Sequence, residues 1–479
     1  MRKRRTWRSH VIAIVAMLVI VASACTPQSD GATTTTTTVS VRSTTVASDG
    51  SSTTTTIDPA LAIPLPVDES VLTGTLDNGL RYYIRYNDSP GARVELRLAV
   101  DVGSLQEDPD QAGYAHFLEH MMFNGTTRFP RNELTSVLES FGPRFGPDIN
   151  AYTSFDETVY ELSLPNDDDL VELGVEVLRE WATEATLTET DVVEERGVVF
   201  EEWRLRDEGL AGRVNETFQE LLFPGTPYEG KAPIGTPASI QATTPDILER
   251  FYGDWYRPER MAVIAVGDFD VKAMELLITE QFSTVESGEG DRDAIEGEAP
   301  DATQTKAAVL ADPEVAVTSI DLLWPVPVGP VETVGDRRSR LVNDLAMTML
   351  ATRLNDDALR GDLPLIGASN SSFSFTRAFS VAAISAAATP ENTQAAVETL
   401  RIELARAEAH GFTQREFDRA TDEVAAVVDQ WYESRGSKQD GEFAAELVAR
   451  DLAGGPMMST EQAHDIDSHL LATIELGDV

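Results

Sequence analysis

The sequence predicts an α+β fold of two repeated domains, each a mostly antiparallel sheet with helices packed on one face. Three patterns carry that expectation. Val94, Leu96, Leu98, Val100 and Val102 alternate with Glu95, Arg97, Ala99 and Asp101, the period of a strand with one buried face. Tyr160, Leu162 and Leu164 repeat that period, and Met261 to Val266 is apolar without interruption, as a central strand is. Between them Leu170, Leu173, Val177, Leu178 and Trp181 fall at helical spacing, so strands and long helices are grouped rather than interleaved. A chain of 479 residues is long enough for two or three domains with sizeable cores.

In chain order, residues 1–24 read as an export signal. Arg2, Lys3, Arg4, Arg5 and Arg8 precede an apolar run from Val11 to Ala22 that is short for a membrane span. The run ends Val21-Ala-Ser-Ala-Cys25, which resembles a bacterial lipoprotein cleavage site. That implies a lipid on Cys25 anchoring the chain to the outer face of the cytoplasmic membrane. The plainer reading is ordinary signal cleavage beside an incidental Cys25. It is the only cysteine, which excludes disulfides within the chain and argues against thiol chemistry. Residues 25–66 read as a disordered tether, because Thr33 to Thr56 holds twelve threonines and little that can pack. A first domain is expected at 67–285 and a linker at 286–304, within a stretch rich in Gly, Glu, Asp and Ala. The second domain is expected at 305–479.

The first domain holds the chemistry. In Gly113-Tyr-Ala-His-Phe-Leu-Glu-His-Met-Met-Phe-Asn-Gly125, His116 and His120 stand four residues apart. On a helix they share a face, so both imidazoles reach one metal ion. Glu119 is then placed to hold a proton near a metal-bound water. Leu118, Met121 and Met122 favour the helix, Asn124-Gly125 stops it, and the residue order is the inverzincin one. Without a third ligand the pair is equally a surface patch, or core histidines bonded to carbonyls. Glu194 to Trp203 offers carboxylates on a second helix, opened by Thr188 and Asp191 as a capping box. Glu195 and Glu202, seven apart, lie within roughly 20° of one face, and Glu201 falls about 120° from Glu195. One carboxylate can ligate the metal while the other bonds a ligand histidine. Gly197 in this helix is expected where the histidine helix approaches closely.

These segments resemble the pitrilysin and insulin-degrading metallopeptidases, the family that includes mitochondrial processing peptidase. The likeness runs from Leu72 to Phe282 and, more weakly, to the end. Thr75-Leu-Asp-Asn-Gly-Leu-Arg81 resembles the family's opening strand and Asn150-Ala-Tyr-Thr-Ser154 the edge strand that pairs with substrate. Tyr256-Arg-Pro-Glu-Arg-Met-Ala262 with Gly267-Asp268 resembles its closing strand. The resemblance implies one Zn2+ per chain, ligated by His116, His120 and Glu202, with Glu119 as general base and Glu195 as the carboxylate behind a ligand. It implies substrate-binding roles for Asn150, Ala151, Tyr152 and Thr153. The interval from His120 to Glu202, 82 residues, exceeds the family pattern by a few, which keeps Glu201 as the alternative ligand. The resemblance also implies a chamber closed by four such repeats, so that this chain needs a second half, a partner subunit or a second copy. The arginine and tyrosine that the family's distal half contributes have no match after Gly361.

Beyond the linker the plan repeats without the chemistry. Val315 to Trp324 and Phe373 to Ala386 read as strands, with helical patterns near Arg337 to Leu359, Thr393 to Ala409 and Gln414 to Glu433. His410, His464 and His469 read as surface histidines. With 38 basic and 80 acidic residues the net charge is −42, which argues against nucleic acid as a partner. It favours basic partners, or serves only solubility. Two functions from different classes are compatible with this reading. One is an extracytoplasmic zinc endopeptidase acting on extended peptides or small proteins. The other is a non-catalytic peptide-binding or assembly lipoprotein on the same scaffold. The intact histidines and glutamates favour the first.

Overall fold

The computed structural model describes residues 61–131, 133–286, 292–315 and 317–479. The export signal, Cys25 and all but the end of the tether lie outside the described residues. No helix among the described residues is long and apolar enough to cross a membrane.

The first half begins with strands β1 (Val71–Thr75), β2 (Arg81–Tyr86) and β3 (Arg93–Val100), then helices α1 (Tyr114–Asn124) and α2 (Glu133–Ser140). Strands β4 (Ile149–Thr153) and β5 (Thr158–Pro165) follow, then α3 (Asp168–Thr183), α4 (Glu189–Asp207), α5 (Leu210–Leu222), α6 (Pro237–Ala242) and α7 (Pro245–Trp255). Strand β6 (Met261–Gly267) and helix α8 (Val271–Phe282) close it. The sheet order is β1-β2-β6-β3-β5-β4, antiparallel throughout except for the parallel pair β2 and β6. Thr75 to Arg81, expected as an opening strand, runs from the last residue of β1 through the turn at 76–80 to the first residue of β2. Asp77-Asn78-Gly79 is turn chemistry: Gly79 has φ 91° and Asn78 Oδ1 accepts the Leu80 N–H at 3.2 Å.

The second half contains β7 (Thr318–Pro327), α9 (Val334–Arg360), β8 (Gly367–Ser374), β9 (Phe379–Ala388), α10 (Thr393–His410), α11 (Gln414–Ser434), α12 (Asp440–Ala453) and α13 (Thr460–Leu471). Its sheet is the antiparallel set β7-β9-β8. Phe373 to Ala386, expected as one strand, is a hairpin whose tip docks on the first half. There the Arg377 backbone N–H donates to Asp156 Oδ2 at 2.7 Å, and the Arg377 guanidinium pairs with Asp101 at 2.5 Å.

The two halves cover each other's sheets. On one face of the first sheet, Leu96, Leu98, Tyr160, Leu162 and Val263 pack against α1, α3, α7 and α8. On the other face, Ala99, Val159, Ala262, Ile264 and Val266 meet Ala444, Leu447 and Val448 of α12. Strand β3 was expected to bury one face and is buried on both. Glu95 and Arg97 therefore lie under α12 and pair at 2.8 Å, as buried charges must. In return Phe218, Phe223 and Tyr228 of the first half pack against Phe379 and Val381 of the second sheet. Residues 292–299 cross the surface of the first half, where Ile295 exchanges two hydrogen bonds with the Gln106 side chain, at 2.8 and 3.0 Å.

Candidate metal centre

Helix α1 starts at Gly113, whose φ of 83° turns the chain into the helix, and stops at Gly125. Its residues from Tyr114 to Glu119 are buried. Helix α4 is opened by Thr188, whose hydroxyl oxygen accepts the Asp191 N–H at 3.2 Å and whose O–H donates to Asp191 Oδ2 at 2.6 Å. The two helices pack against each other, and this brings His116, His120 and Glu202 together. One ligand atom from each of the three lies within 4.8 Å of the others. His120 Nε2 is 3.1 Å from Glu202 Oε2, and His116 Nε2 is 3.6 Å from Glu202 Oε1.

Glu195, one heptad before Glu202, sits behind His120 with Oε1 2.8 Å from Nδ1, while Asn124 Nδ2 donates to its other oxygen at 2.7 Å. This pairing places the imidazole proton on Nδ1 and leaves Nε2 for a metal. Glu201 faces away, paired with Arg204 at 2.5 Å and with a side chain 58 % exposed. Gly197 does not mark a close approach: a Cβ there would meet nothing within 4 Å. It lies about 200° around α4 from Glu195, so its face is turned from α1.

The electrostatics suit a cation. Burial opposes protonation of His120, yet hydrogen bonds to Glu195 and Glu202 outweigh it and push the imidazolium up to about 10. Hydrogen bonds from His116 and His120 hold the Glu202 carboxyl well below the usual carboxylate range. Two imidazoles and a carboxylate are the donor set of an open catalytic zinc site, and these residues fit that ion. Glu119, 7 % exposed, lies one turn along α1 from His116 and accepts the Thr153 hydroxyl at 2.7 Å. Thr153 ends β4, which pairs with β5 and stands last in the sheet order, at an edge of the sheet. Asn150 and Tyr152 on this strand are exposed, and Ala151 is half-buried.

Three contributors went unread in the sequence. Asn124 reads in the sequence as a helix stop, although it stands four residues after His120 and so on the same face. Arg206, one turn beyond Glu202, reaches its Oε1 at 2.8 Å. The tie from Thr153 to Glu119 joins a strand to a helix and has no local signal. The histidines of the second half do not gather. His464 stacks on Tyr432 with ring centroids 4.2 Å apart, while His410 and His469 are exposed.

Residues 83–229 match the family described as Insulinase (Peptidase family M16), and residues 242–424 match the Peptidase M16 inactive domain. The chain is 31% identical over 418 residues to the probable zinc protease PqqL of Escherichia coli, covering 86% of this chain and 44% of that protein. It is 32% identical over 408 residues to a zinc protease PQQL-like protein of Arabidopsis thaliana, covering 85% of this chain and 40% of that one. The crystal structure of the first half of the periplasmic protease PqqL superposes with a TM-score of 0.78 at 31% identity, covering 86% of this chain and 88% of that one. The chain thus spans less than half the length of the full-length relatives and nearly all of that first half. With both halves matched in order, the chain belongs to the insulinase family, peptidase family M16.

Proposed function

We propose that this chain carries the catalytic half of an exported zinc endopeptidase that cuts extended peptides or small proteins. Residues 67–285 would form the catalytic unit and 305–479 the non-catalytic one. The observation that carries the reading is the meeting of His116, His120 and Glu202 beside a glutamate tied to an edge strand. Zinc, when bound, supplies a Lewis acid that polarises the scissile carbonyl and acidifies water. His116, His120 and Glu202 would hold it, with Glu195 fixing the ring of His120. Glu119 takes the proton of the attacking water and returns it to the leaving amine. Thr153 orients the Glu119 carboxylate. Substrate backbone adds as a strand to β4 over Asn150, Ala151, Tyr152 and Thr153.

Export is supported by the basic and apolar start of the chain and by the periplasmic location stated for the Escherichia coli relative. Attachment through a lipid on Cys25 belongs to this proposal, and mass spectrometry of the N-terminal peptide tests it. So does completion by a second half, a partner subunit or a second copy, since the relatives are about twice as long.

A quenched extended peptide tests the activity. Cleavage is expected to need zinc, to stop with a chelator and to return on zinc addition. It should be slow in the isolated chain and rise when the remaining half is supplied in trans. Glu119→Gln should hold zinc and not cut. Cutting by that variant or by metal-free protein at the full rate would end the proposal.

A further inference from the structure

The start of α1 is held by a side chain outside the helix. Gly113, its N-cap, has no side chain to cap with, and no side-chain cap bond is made from that position. Instead Glu107, six residues upstream and 2 % exposed, turns its carboxylate onto the first turn. Its Oε2 accepts the Gly113 N–H and its Oε1 the Ala115 N–H, both at 2.9 Å. The Lys231 ammonium donates to the Glu107 carbonyl oxygen, and its charge faces the carboxylate. On the opposite side the helix start is wedged against the loop after Lys231. A Cβ on Gly113 would lie 2.7 Å from Gly235 Cα, and one on Gly235 would lie 2.8 Å from the Ala112 carbonyl. Both glycines have positive φ, so this contact is backbone against backbone and admits no slack.

A carboxylate this deeply buried is costly. Burial pushes its carboxyl up to about 8, against the pull of the N–H groups and Lys231. An exposed Ser, Asp or Asn at the cap position would satisfy the helix end without that cost. The positions it fixes are the ones the site depends on, since His116, Glu119 and His120 fall in the next two turns.

We propose that Glu107 is a positioning residue for the metal centre. Clamped on the first turn, it sets the height and rotation of α1 so that His116 and His120 meet Glu202 of α4. The inference rests on the reading that these three residues hold zinc. A shift of about 1 Å at a reacting centre can cost on the order of 100-fold, which is the scale on which such a clamp matters.

The test compares wild type with Glu107→Ala, the isosteric Glu107→Gln and a control, Ile278→Ala, at a fully buried position on α8. Zinc affinity is read by competition with a chromophoric chelator. The geometry of the ligand set is read from the visible spectrum of the cobalt-loaded protein, and folding from circular dichroism. Glu107→Ala is expected to bind zinc on the order of 10–100-fold more weakly, with an altered cobalt spectrum. Glu107→Gln should fall between it and wild type, and carries the test where the alanine variant does not fold. The control should lower the melting temperature and leave zinc affinity and spectrum unchanged. A folded Glu107→Gln with wild-type affinity and spectrum overturns the inference alone. Wild type that binds no zinc, or His116→Ala that keeps it, overturns the reading beneath it as well.

Discussion

Helices α1 and α4 of the first half have counterparts in α9 and α11 of the second, and the two pairs are joined in opposite ways. Both halves run from a first strand through a helical crossing to an edge strand, back along a return strand and into a long helix. The three strands involved lie in the same spatial order, β3-β5-β4 in one and β7-β9-β8 in the other. Where α1 offers His116, Glu119 and His120 to the carboxylates of α4, α9 offers Leu341, Leu345 and Met349 to Phe417 and Ala420 of α11. The second contact is ordinary core, each buried leucine contributing about 1.5–3 kcal/mol. The first gathers imidazoles and three carboxylates in a partly buried cleft, an arrangement that costs stability until a cation neutralises it. One half of the molecule thus places possible metal ligands where the other places apolar packing.

The comparison breaks most completely at the ligands. His116→Ala, His120→Ala or Glu202→Ala is expected to lose both stoichiometric zinc, read by elemental analysis, and peptide cleavage. Glu119→Gln should keep the zinc and lose cleavage by on the order of 100- to 10,000-fold, the contribution of a general base. Glu195→Ala leaves the three ligands in place and should weaken zinc by on the order of 10–100-fold, measured by chelator competition.

In the second half the same assays should be silent. Leu345→Ala, in a fully buried position on α9, is expected to cost about 2–5 kcal/mol in denaturant unfolding, with zinc affinity unchanged. The smallest effect concerns the ion pair between Arg353 and Glu416, at 2.5 Å, which ties α9 to the start of α11. Burial opposes ionisation of Glu416, yet Arg353 and the Thr413 backbone N–H hold its carboxyl down to about 2. Because the folded value is depressed, the stability it adds is present above the ordinary value of 4.5 and fades as pH falls from there toward 2. Arg353→Met should flatten the acid dependence of stability in that window. At pH 7 it should cost on the order of 1 kcal/mol from the lost ion pair, since the Glu416 carboxylate keeps partial contact with solvent.

What the sequence revealed follows the range of the interactions. The spacing of His116 and His120 is a property of one helix, and the heptad between Glu195 and Glu202 is a property of another, so both faces could be read without a structure. The exposed side of α4 bearing Glu201 followed from the same angle. Contacts between elements distant in the chain gave no such sign. The polar alternation of Glu95 and Arg97 imitated a solvent face because nothing local announces that α12 will cover it. The break between β8 and β9 was hidden because Phe375 continues the alternation of Phe373, while Arg377 in the turn is bound by Asp156 of the other half. The tie between Thr153 and Glu119 and the clamp of Glu107 on α1 likewise depend on tertiary placement.

Helices α1 and α4 are expected to hold one zinc ion between them through His116, His120 and Glu202. Zinc X-ray absorption on wild type, Glu202→Ala and Glu201→Ala tests it most directly. Wild type and Glu201→Ala are expected to show one zinc per chain with two imidazoles and oxygen donors at about 2.0–2.2 Å. Glu202→Ala should lose the metal. Zinc retained in Glu202→Ala but lost in Glu201→Ala, or a wild-type spectrum without imidazole ligands, would contradict it.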